Sequence, residues 1–466
     1  MKKRLVLILI LVLLFSLSAC ATSDTNASGS PSEGLHIGWG RVNITPNYSL
    51  GIGGYSDAET RRSMGFLDYL YITCLAFTEG GETVLLYTFD NCAASQSIVD
   101  KIREVVSPAT GIPSDHIYAL ATHTHSAPSI MGDTEGKKYQ EELYAAAVQA
   151  GQEALADRSA STISSCSTVL ENMNFVRHYI LEDGTYTGTS SAVNEGTPVA
   201  HATNSDPRMF LVKFDRADES KQDILLVNWQ AHPDHATENG YNMLSADFPG
   251  AIRDKVEKET NMLCAYFTGA SGNQNPDSRI KSEMHHLSMR EYGTKLGEAA
   301  VAALPALTPV EGTGIQTTQV IFDAEIDHSW DHMLDKANEV YDLWKDTDLA
   351  TGTAKAAEYN FSTVYQARAI KTRASMPATQ QLELNAFRVG GIAFTTGTYE
   401  MFSDAGLYIR ENSPFATTVI CTGNSGYIPS KEAFDYRSYE ADTGMYAKGT
   451  AEKLADKYVE MLKSLQ

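Results

Sequence analysis

One stretch of the sequence is informative about both fold and function: Ile117-Tyr118-Ala119-Leu120-Ala121-Thr122-His123-Thr124-His125-Ser126-Ala127-Pro128. Its first five residues form an apolar run of strand length, and polar residues follow at once. Residues two apart in a strand point to the same side, so we expect His123 and His125 to present their imidazoles to one space. A neutral imidazole is a common metal ligand, although hydrogen-bonded core histidines would give the same pattern.

A second histidine follows another apolar run, in Ile224-Leu225-Leu226-Val227-Asn228-Trp229-Gln230-Ala231-His232-Pro233. Taken alone, His232 is best interpreted as a hydrogen-bonded histidine near a turn. Two strand-end histidine sites in one chain favour a shared metal, because open α/β sheets place ligand sites at strand ends. Three histidines, or histidines with a carboxylate, would suit zinc, which can activate water or polarise a carbonyl.

Further apolar runs alternate with segments of helical periodicity along the chain. The runs of strand length are residues 71–77, 83–89, 117–121, 209–214, 224–229, 263–267, 314–322, 381–387, 392–395 and 417–421. The helical patterns are residues 98–106, 138–156, 248–258, 288–303, 332–344 and 451–465. This alternation predicts a layered α/β domain, with the strand order left open. Residues 346–375 are weakly patterned, and we expect them to form a surface excursion.

The first residues predict export and lipid attachment. Three basic residues precede an uncharged run at 5–18, which is shorter than the roughly 20 residues of a membrane span but suits a signal peptide. The run ends in Leu17-Ser18-Ala19-Cys20, which resembles the lipobox of bacterial lipoproteins; the alternative is a plain secretory signal. We therefore predict a signal peptide at 1–19, lipidated Cys20 with a flexible tether at 20–35, and a catalytic domain at 36–466. The protein would be exported and lipid-anchored to the cell membrane or envelope surface.

Charge narrows the range of partners. The 466-residue chain has a formal charge of −21, and removal of the three basic residues in the signal peptide makes it −24. A strongly acidic protein is a poor partner for nucleic acid or for an anionic bilayer. We therefore expect no nucleic-acid partner.

Several motifs, in order along nearly the whole chain, resemble the catalytic domain of the neutral, non-lysosomal ceramidases and their bacterial relatives. In one-letter code they are GRVNITP at 40–46, GGY at 53–55, D at 68, THTHSAP at 122–128, NWQAHP at 228–233, SADFPG at 245–250, FTGASGNQNP at 267–276, GTYE at 397–400 and GNSGYIPSKEAFDYRSYE at 423–440. The resemblance implies a mixed-sheet α/β catalytic domain of the neutral ceramidase type and a Zn²⁺ cofactor.

The resemblance also implies particular site residues. The zinc ligands that it implies by motif are His123, His232, Glu400 and Tyr427. The residues that it implies around the substrate amide are His125, Arg177 and Tyr439. No spacing argument points to Glu400 or Tyr427, which would otherwise be interpreted as a surface carboxylate and a packed tyrosine.

The chain departs from the family pattern at two points. Where ceramidases carry a serine, this sequence has Asn275, which cannot act as an alkoxide nucleophile but can hydrogen-bond a bound group. Ser271 lies four positions earlier and could replace the serine only if the loop were re-registered. The sequence also continues for one helical segment beyond Tyr439, so we expect it to lack the immunoglobulin-like domain of many ceramidases.

The sequence therefore predicts a zinc-dependent amidohydrolase that uses metal-activated water on a small-molecule or lipid substrate with an N-acyl, ceramide-like group. His125, Tyr439, Arg177 and Asn275 are its predicted catalytic residues. One alternative is a metal-dependent esterase or amidase acting on another envelope substrate. Another is a lipoprotein that binds a lipid or glycan without turnover.

Overall fold

The computed structural model describes residues 34–55, 60–130, 133–188, 196–423 and 425–466. The predicted signal peptide, Cys20 and the predicted tether up to residue 33 lie outside the described residues, and the domain boundaries stay a prediction. Within the described ranges, no helix is both long and apolar enough to cross a membrane.

Strands and helices alternate along the chain. The strands are β1 (His36–Asn43), β2 (Gly65–Phe66), β3 (Tyr71–Glu79), β4 (Glu82–Phe89), β5 (Ile117–Ala121), β6 (Ser159–Val169), β7 (Phe175–Val176), β8 (His178–Leu181), β9 (Tyr186–Gly188), β10 (Pro198–His201), β11 (Arg208–Arg216), β12 (Ile224–Trp229), β13 (Met243–Leu244), β14 (Leu263–Thr268), β15 (Gln274–Asn275), β16 (Thr308–Pro309), β17 (Ile315–Glu325), β18 (Thr379–Val389), β19 (Ile392–Gly397), β20 (Glu400–Met401), β21 (Thr417–Thr422) and β22 (Tyr427–Ile428). The α-helices are α1 (Gln96–Thr110), α2 (Thr134–Ala156), α3 (Ala236–Asn239), α4 (Asp247–Thr260), α5 (Met289–Ala303), α6 (Leu334–Asp346), α7 (Leu349–Glu358), α8 (Val364–Arg373), α9 (Ser403–Asn412), α10 (Lys431–Asp435), α11 (Tyr439–Thr443) and α12 (Thr450–Ser464). The predicted α/β class is confirmed.

A large sheet with the order β14-β12-β11-β6-β1-β3-β4-β5 lies at the centre, and the short β16 pairs with β6. Neighbours are antiparallel except for the outermost pairs, β12–β14 and β4–β5, which are parallel. Parallel neighbours need a crossover, and α4 and α1 provide it. The two edge strands of this sheet, β14 and β5, come together at their carboxyl ends. There Thr268 Oγ1 donates a hydrogen bond to the Thr122 carbonyl at 2.7 Å.

A second sheet, β17-β18-β19-β21, packs against the first. The interface is apolar and rich in aromatic rings. Phe77 of the large sheet lies 5.9 Å from Phe394 of the second, and Tyr118 stacks on Phe387 at 4.8 Å between ring centroids. Burial of these rings away from water holds the two sheets together.

Helices cover the outer faces, which gives four layers in the order helix, sheet, sheet, helix. Helices α1 and α2 pack on one half of the large sheet, α4 and α5 on the other half, and α9 and α12 on the second sheet. Helix α2 lies very close to β1, because a Cβ atom on Gly38 or Gly40 would be within about 2 Å of an α2 carbonyl.

Several regions differ from the sequence-based expectation. Residues 346–375, predicted from their weak pattern to be a surface excursion, contain α7 and α8, which pack with α6 around Phe361 and Val364. Strands β1 and β6 were not predicted. In β6, serine and threonine dominate and mask the apolar signal, although its ladder with β11 runs over nine residue pairs.

Candidate metal centre

Each candidate metal ligand lies just beyond the carboxyl end of a strand. His123 follows β5, His232 follows β12, Glu400 begins β20 just after β19, and Tyr427 begins β22 after β21. The short strands β20 and β22 pair in parallel, and this pairing places Glu400 beside Tyr427. Strand ends from both sheets therefore supply the site, as the strand-end histidines predicted.

His123 and His125 converge for a different reason from the one expected. Strand β5 ends at Ala121, so both histidines lie in the following loop and the period-two argument is wrong. His123 has a φ of 71°, in the left-handed region that non-glycine residues seldom adopt. This loop conformation still brings the Nε2 atoms of His123 and His125 to 3.3 Å.

Three potential ligand atoms converge at the centre of the site. The Nε2 atoms of His123 and His232 are 3.0 Å apart, and each is 3.5 Å from Oε2 of Glu400. In a tetrahedral zinc site with bonds of about 2.0–2.1 Å, neighbouring ligand atoms are about 3.3–3.4 Å apart. His123, His232 and Glu400 therefore form a buried group that could hold a metal ion.

Hydrogen bonds fix which nitrogens face the centre. Nδ1 of His123 lies 2.5 Å from the Cys92 carbonyl, and Nδ1 of His232 lies 2.9 Å from the Ser271 carbonyl. A carbonyl oxygen can only accept, so each Nδ1 carries the hydrogen and each neutral ring directs its Nε2 lone pair inward. Oε2 of Glu400 is buried and has no hydrogen-bond partner in the described part of the chain. When both rings are neutral, three acceptor atoms face one another, and one cation between them would satisfy all three. The residues present therefore fit a bound metal.

Cys92, His123 and His125 form a second group with metal-ligand spacing. In it, the Cys92 sulfur lies 4.0 Å from Nδ1 of His123. That nitrogen already donates to a carbonyl, so it has no lone pair for a metal. The group built on Nε2 of His123 and His232 is therefore the better metal site.

Charges around the centre shift several pKa values. Burial disfavours charge on His123, but the Glu400 carboxylate and the hydrogen bond to Cys92 together outweigh it and raise the pKa of His123 well above its usual range. Burial also opposes charge on Glu400, yet His123 and His232 together outweigh it and lower the pKa of Glu400 to about 2. Burial, with the neighbouring positive charge, lowers the pKa of His232 and, more strongly, that of His125. Protonation of one histidine, His123, is therefore favoured in the centre, and protonation of a second histidine is disfavoured.

Arg177 contacts two other residues of the predicted site, Tyr427 and Asn275. Its guanidinium donates to the Tyr427 hydroxyl at 3.1 Å and to Oδ1 of Asn275 at 3.4 Å. It also donates to the Gly272 carbonyl at 3.0 Å and forms a buried ion pair of 2.7 Å with Glu440. Strand β7, which ends one residue before Arg177, pairs with the strand that contains Asn275. The structure therefore brings Arg177, Asn275 and Tyr427 together.

The loop after β14 places Asn275 and Ser271 in different surroundings. Asn275 is partly buried and faces Arg177, whereas the Ser271 side chain is fully buried. The Ser271 hydroxyl has no hydrogen-bond partner among the residues described, and its carbonyl orients His232. Ser271 thus contacts the site through its backbone.

Tyr427 and Tyr439 lie on one side of the centre, with ring centroids 6.5 Å apart at an angle of 77°. Burial, with the nearby Glu400 charge, raises the pKa of Tyr427 well above its usual range, although Arg177 opposes the shift. The phenol therefore stays protonated unless a metal takes its proton. Its role as a fourth ligand stays a prediction.

His125 lies on the other side of the centre, against an aromatic wall. Its ring is 5.1 Å from Tyr55, which in turn is 6.0 Å from Tyr241. Nδ1 of His125 is buried and has no hydrogen-bond partner in the described ranges. A buried ring nitrogen of this kind can bond a substrate or transfer a proton.

Sequence reasoning missed two residues beside the site, His178 and Glu440. Glu440 accepts from Arg177 and from His178, each at 2.7 Å, and Nδ1 of His178 accepts from the Tyr436 hydroxyl at 2.8 Å. Glu440 lies in the ceramidase-like motif at 423–440. The residues next to it in the sequence do not indicate that it contacts Arg177 and His178, which are far away along the chain.

Comparisons with known proteins agree with this architecture. No protein-family model and no curated protein matches the chain. Among solved structures, neutral ceramidase from Pseudomonas aeruginosa is similar, with a TM-score of 0.67, 17% identity, and coverage of 93% of this chain and 74% of that one. A ceramidase complexed with C2 is similar too, with a TM-score of 0.67, 16% identity, and coverage of 93% and 75%. The chain therefore has the fold of the neutral ceramidases.

Proposed function

We propose that this chain is a zinc-dependent hydrolase that cleaves the amide bond of an N-acyl substrate. One observation carries the proposal: Nε2 of His123, Nε2 of His232 and Oε2 of Glu400 face one another at 3.0–3.5 Å, and Oε2 of Glu400 has no hydrogen-bond partner among the described residues. The ceramidase-like fold supports an amide as the scissile bond.

Two imidazoles and a carboxylate, with Tyr427 as the proposed fourth ligand, form a donor set that suits zinc. When bound, zinc supplies a Lewis acid that polarises a carbonyl and makes water nucleophilic at neutral pH. The carbonyls of Cys92 and Ser271 hold the two imidazoles in the tautomer that directs Nε2 inward.

The protein's own residues would bind the amide and move protons. Asn275, held by Arg177, can donate a hydrogen bond to the substrate carbonyl through its amide nitrogen. His125, which is neutral because its pKa is lowered, would accept a proton from the attacking water and deliver it to the leaving nitrogen. Tyr439 would stabilise developing charge with its hydroxyl. No serine alkoxide is required, which agrees with asparagine at position 275.

Elemental analysis of the purified protein, followed by a screen of N-acyl substrates, tests this proposal. We expect one zinc per chain and hydrolysis that a chelator stops and added zinc restores. A zinc-loaded protein that cleaves esters and no amide would support the esterase alternative. A zinc-loaded protein that cleaves neither would support a binding protein without turnover.

We also propose that Cys20 carries lipid and attaches the protein to the cell membrane or envelope surface. The proposal is supported by Leu17-Ser18-Ala19-Cys20, which follows an uncharged run. Wild-type protein should take up labelled palmitate and fractionate with membranes, whereas Cys20→Ala should stay unprocessed or be released. Wild-type protein without label would contradict the proposal.

A further inference from the structure

A cavity of about 370 Å³ begins at Tyr439, beside the candidate metal centre. The Tyr439 ring separates it from Tyr427, and a hydrogen-bonded chain from Tyr436 through His178 and Glu440 links its wall to Arg177. Its size lies in the range of small-molecule pockets, roughly 300–1,000 Å³. A ligand bound there would therefore lie next to the residues proposed to hold the amide.

The wall of this cavity combines aromatic rings with polar side chains and has no aliphatic side chain among its described residues. Among the described residues that line it, none is leucine, isoleucine, valine, methionine or alanine. Most carry hydroxyl, amide or charged groups, among them Thr187, Asn360, Ser362 and Asp435. A long alkyl chain is recognised by the burial of its methylene groups against apolar side chains, and the apolar surface of this cavity comes from aromatic rings alone among the described residues. A ligand with several hydroxyl or amide groups fits it better.

Aromatic rings complete the wall. Tyr186 stacks on Tyr436, with ring centroids 4.9 Å apart at an angle of 16°, and Phe361 and Tyr439 also line the cavity. The Tyr436 hydroxyl is fixed by His178, while Tyr186 is 41% exposed at the rim. Aromatic faces combined with hydroxyl and amide partners suit a sugar ring, whose C–H face packs on an aromatic ring while its hydroxyls form hydrogen bonds.

We infer that this cavity binds a sugar ring, and that the substrate is an N-acylated amino sugar rather than a long-chain lipid amide. This inference rests on the proposed function for the reaction, but not for the binding. A ring in the cavity would contact Tyr439, whose own ring lies 6.5 Å from that of Tyr427, the proposed fourth ligand of the metal.

Calorimetric titration of the chelator-treated full chain with di-N-acetylchitobiose tests the inference without any turnover. Wild-type protein should bind the disaccharide, and Tyr186→Ala should weaken binding at least fivefold because an aromatic contact is lost. Tyr408→Ala is a matched control: Tyr408 is 42% exposed and its hydroxyl bonds Asp456, away from this cavity. The control should bind like the wild type. Equal weakening by both variants, or no binding by wild-type protein, would overturn the inference.

A parallel titration with short-chain ceramide in detergent separates the two ligand classes. Ceramide binding that Tyr186→Ala weakens, without disaccharide binding, would assign the cavity to lipid and overturn the inference. Disaccharide binding by a protein that hydrolyses no N-acyl compound with zinc present would keep the inference and reject the hydrolase. Failure of the sugar-binding inference and failure of the proposed hydrolase function therefore give different results.

Discussion

Two buried histidine–glutamate clusters lie side by side in this fold. The first, which we call the metal-centre cluster, consists of His123, His232 and Glu400. The second, the Glu440 cluster, consists of Glu440, His178 and Arg177. In the second, Glu440 accepts from both partners at 2.7 Å, so its charge is matched inside the protein. In the first, Oε2 of Glu400 has no hydrogen-bond partner in the described residues.

The difference shows which feature of a buried histidine–glutamate cluster indicates a metal. Residue types alone do not, because both clusters combine histidine with glutamate below 10% exposure. Buried polar groups are normally satisfied, and the Glu440 cluster satisfies its carboxylate with the Arg177 cation. The metal-centre cluster leaves lone pairs facing one another, and a cation from solution would satisfy them. Arg177 connects the clusters through its bond to the Tyr427 hydroxyl.

The largest expected effect is on catalysis. His232→Ala or Glu400→Gln should reduce zinc from one per chain to near zero and lower kcat/KM about ten-thousandfold, since a metal contributes several kcal/mol and each tenfold is about 1.4 kcal/mol. The control is His178→Gln, which should keep its zinc because it changes the other cluster. Loss of zinc from the control alone would reverse our assignment of the two clusters.

The next effect separates the clusters by stability. Glu440→Gln should lower the free energy of unfolding by about 3–5 kcal/mol, because it leaves the buried Arg177 charge without its partner. Glu400→Gln, measured without metal, should cost less than Glu440→Gln, because His123 can release its proton when the carboxylate is removed, whereas Arg177 cannot. Chemical denaturation of both variants in chelator checks this. Similar losses in the two variants would mean that the metal-centre cluster is also satisfied without a cation.

The clusters should also respond to pH in different ranges. Since the pKa of His123 is raised, a proton competes with zinc at neutral pH, and zinc affinity should increase with pH up to that pKa. The Arg177 and His178 partners outweigh burial and lower the pKa of Glu440, so the stability it contributes is present above pH 4.5 and lost as pH falls below it. Chelator competition measures the zinc affinity, and chemical denaturation measures the free energy of unfolding, each across this pH range. Zinc affinity that stays constant between pH 6 and 9 would contradict this account.

The smallest expected effects come from the loop after β14. Asn275→Ala should lower kcat/KM about tenfold and keep zinc, since one hydrogen bond to the substrate is lost at about 1–1.5 kcal/mol. Ser271→Ala should change kcat/KM less than about twofold, because the carbonyl that holds His232 remains. Asn275→Ser should raise activity on ceramide-like amides if the loop keeps the family geometry. A complete loss of activity in Ser271→Ala with zinc retained would identify Ser271 as the nucleophile.

The sequence predicts the layered fold better than it predicts the site. Apolar runs located β5 and β12 to the residue, because both strands are buried on both faces. Helices α7 and α8 were missed, since only part of each short helix is buried and the apolar period is weak. His123 and His232 were predicted as metal ligands because each follows an apolar run of strand length. Glu400 was predicted only from the motif resemblance, because a single carboxylate after a strand has no periodicity or spacing that distinguishes it.

Diffraction with anomalous scattering at the zinc edge, on crystals of the zinc-loaded protein, tests the central claim most directly. The account predicts one strong peak about 2.0–2.2 Å from Nε2 of His123, Nε2 of His232 and Oε2 of Glu400. It predicts no peak at the Glu440 cluster, where Arg177 already supplies the charge. A zinc peak that lies elsewhere, or no peak between these three atoms, would contradict it.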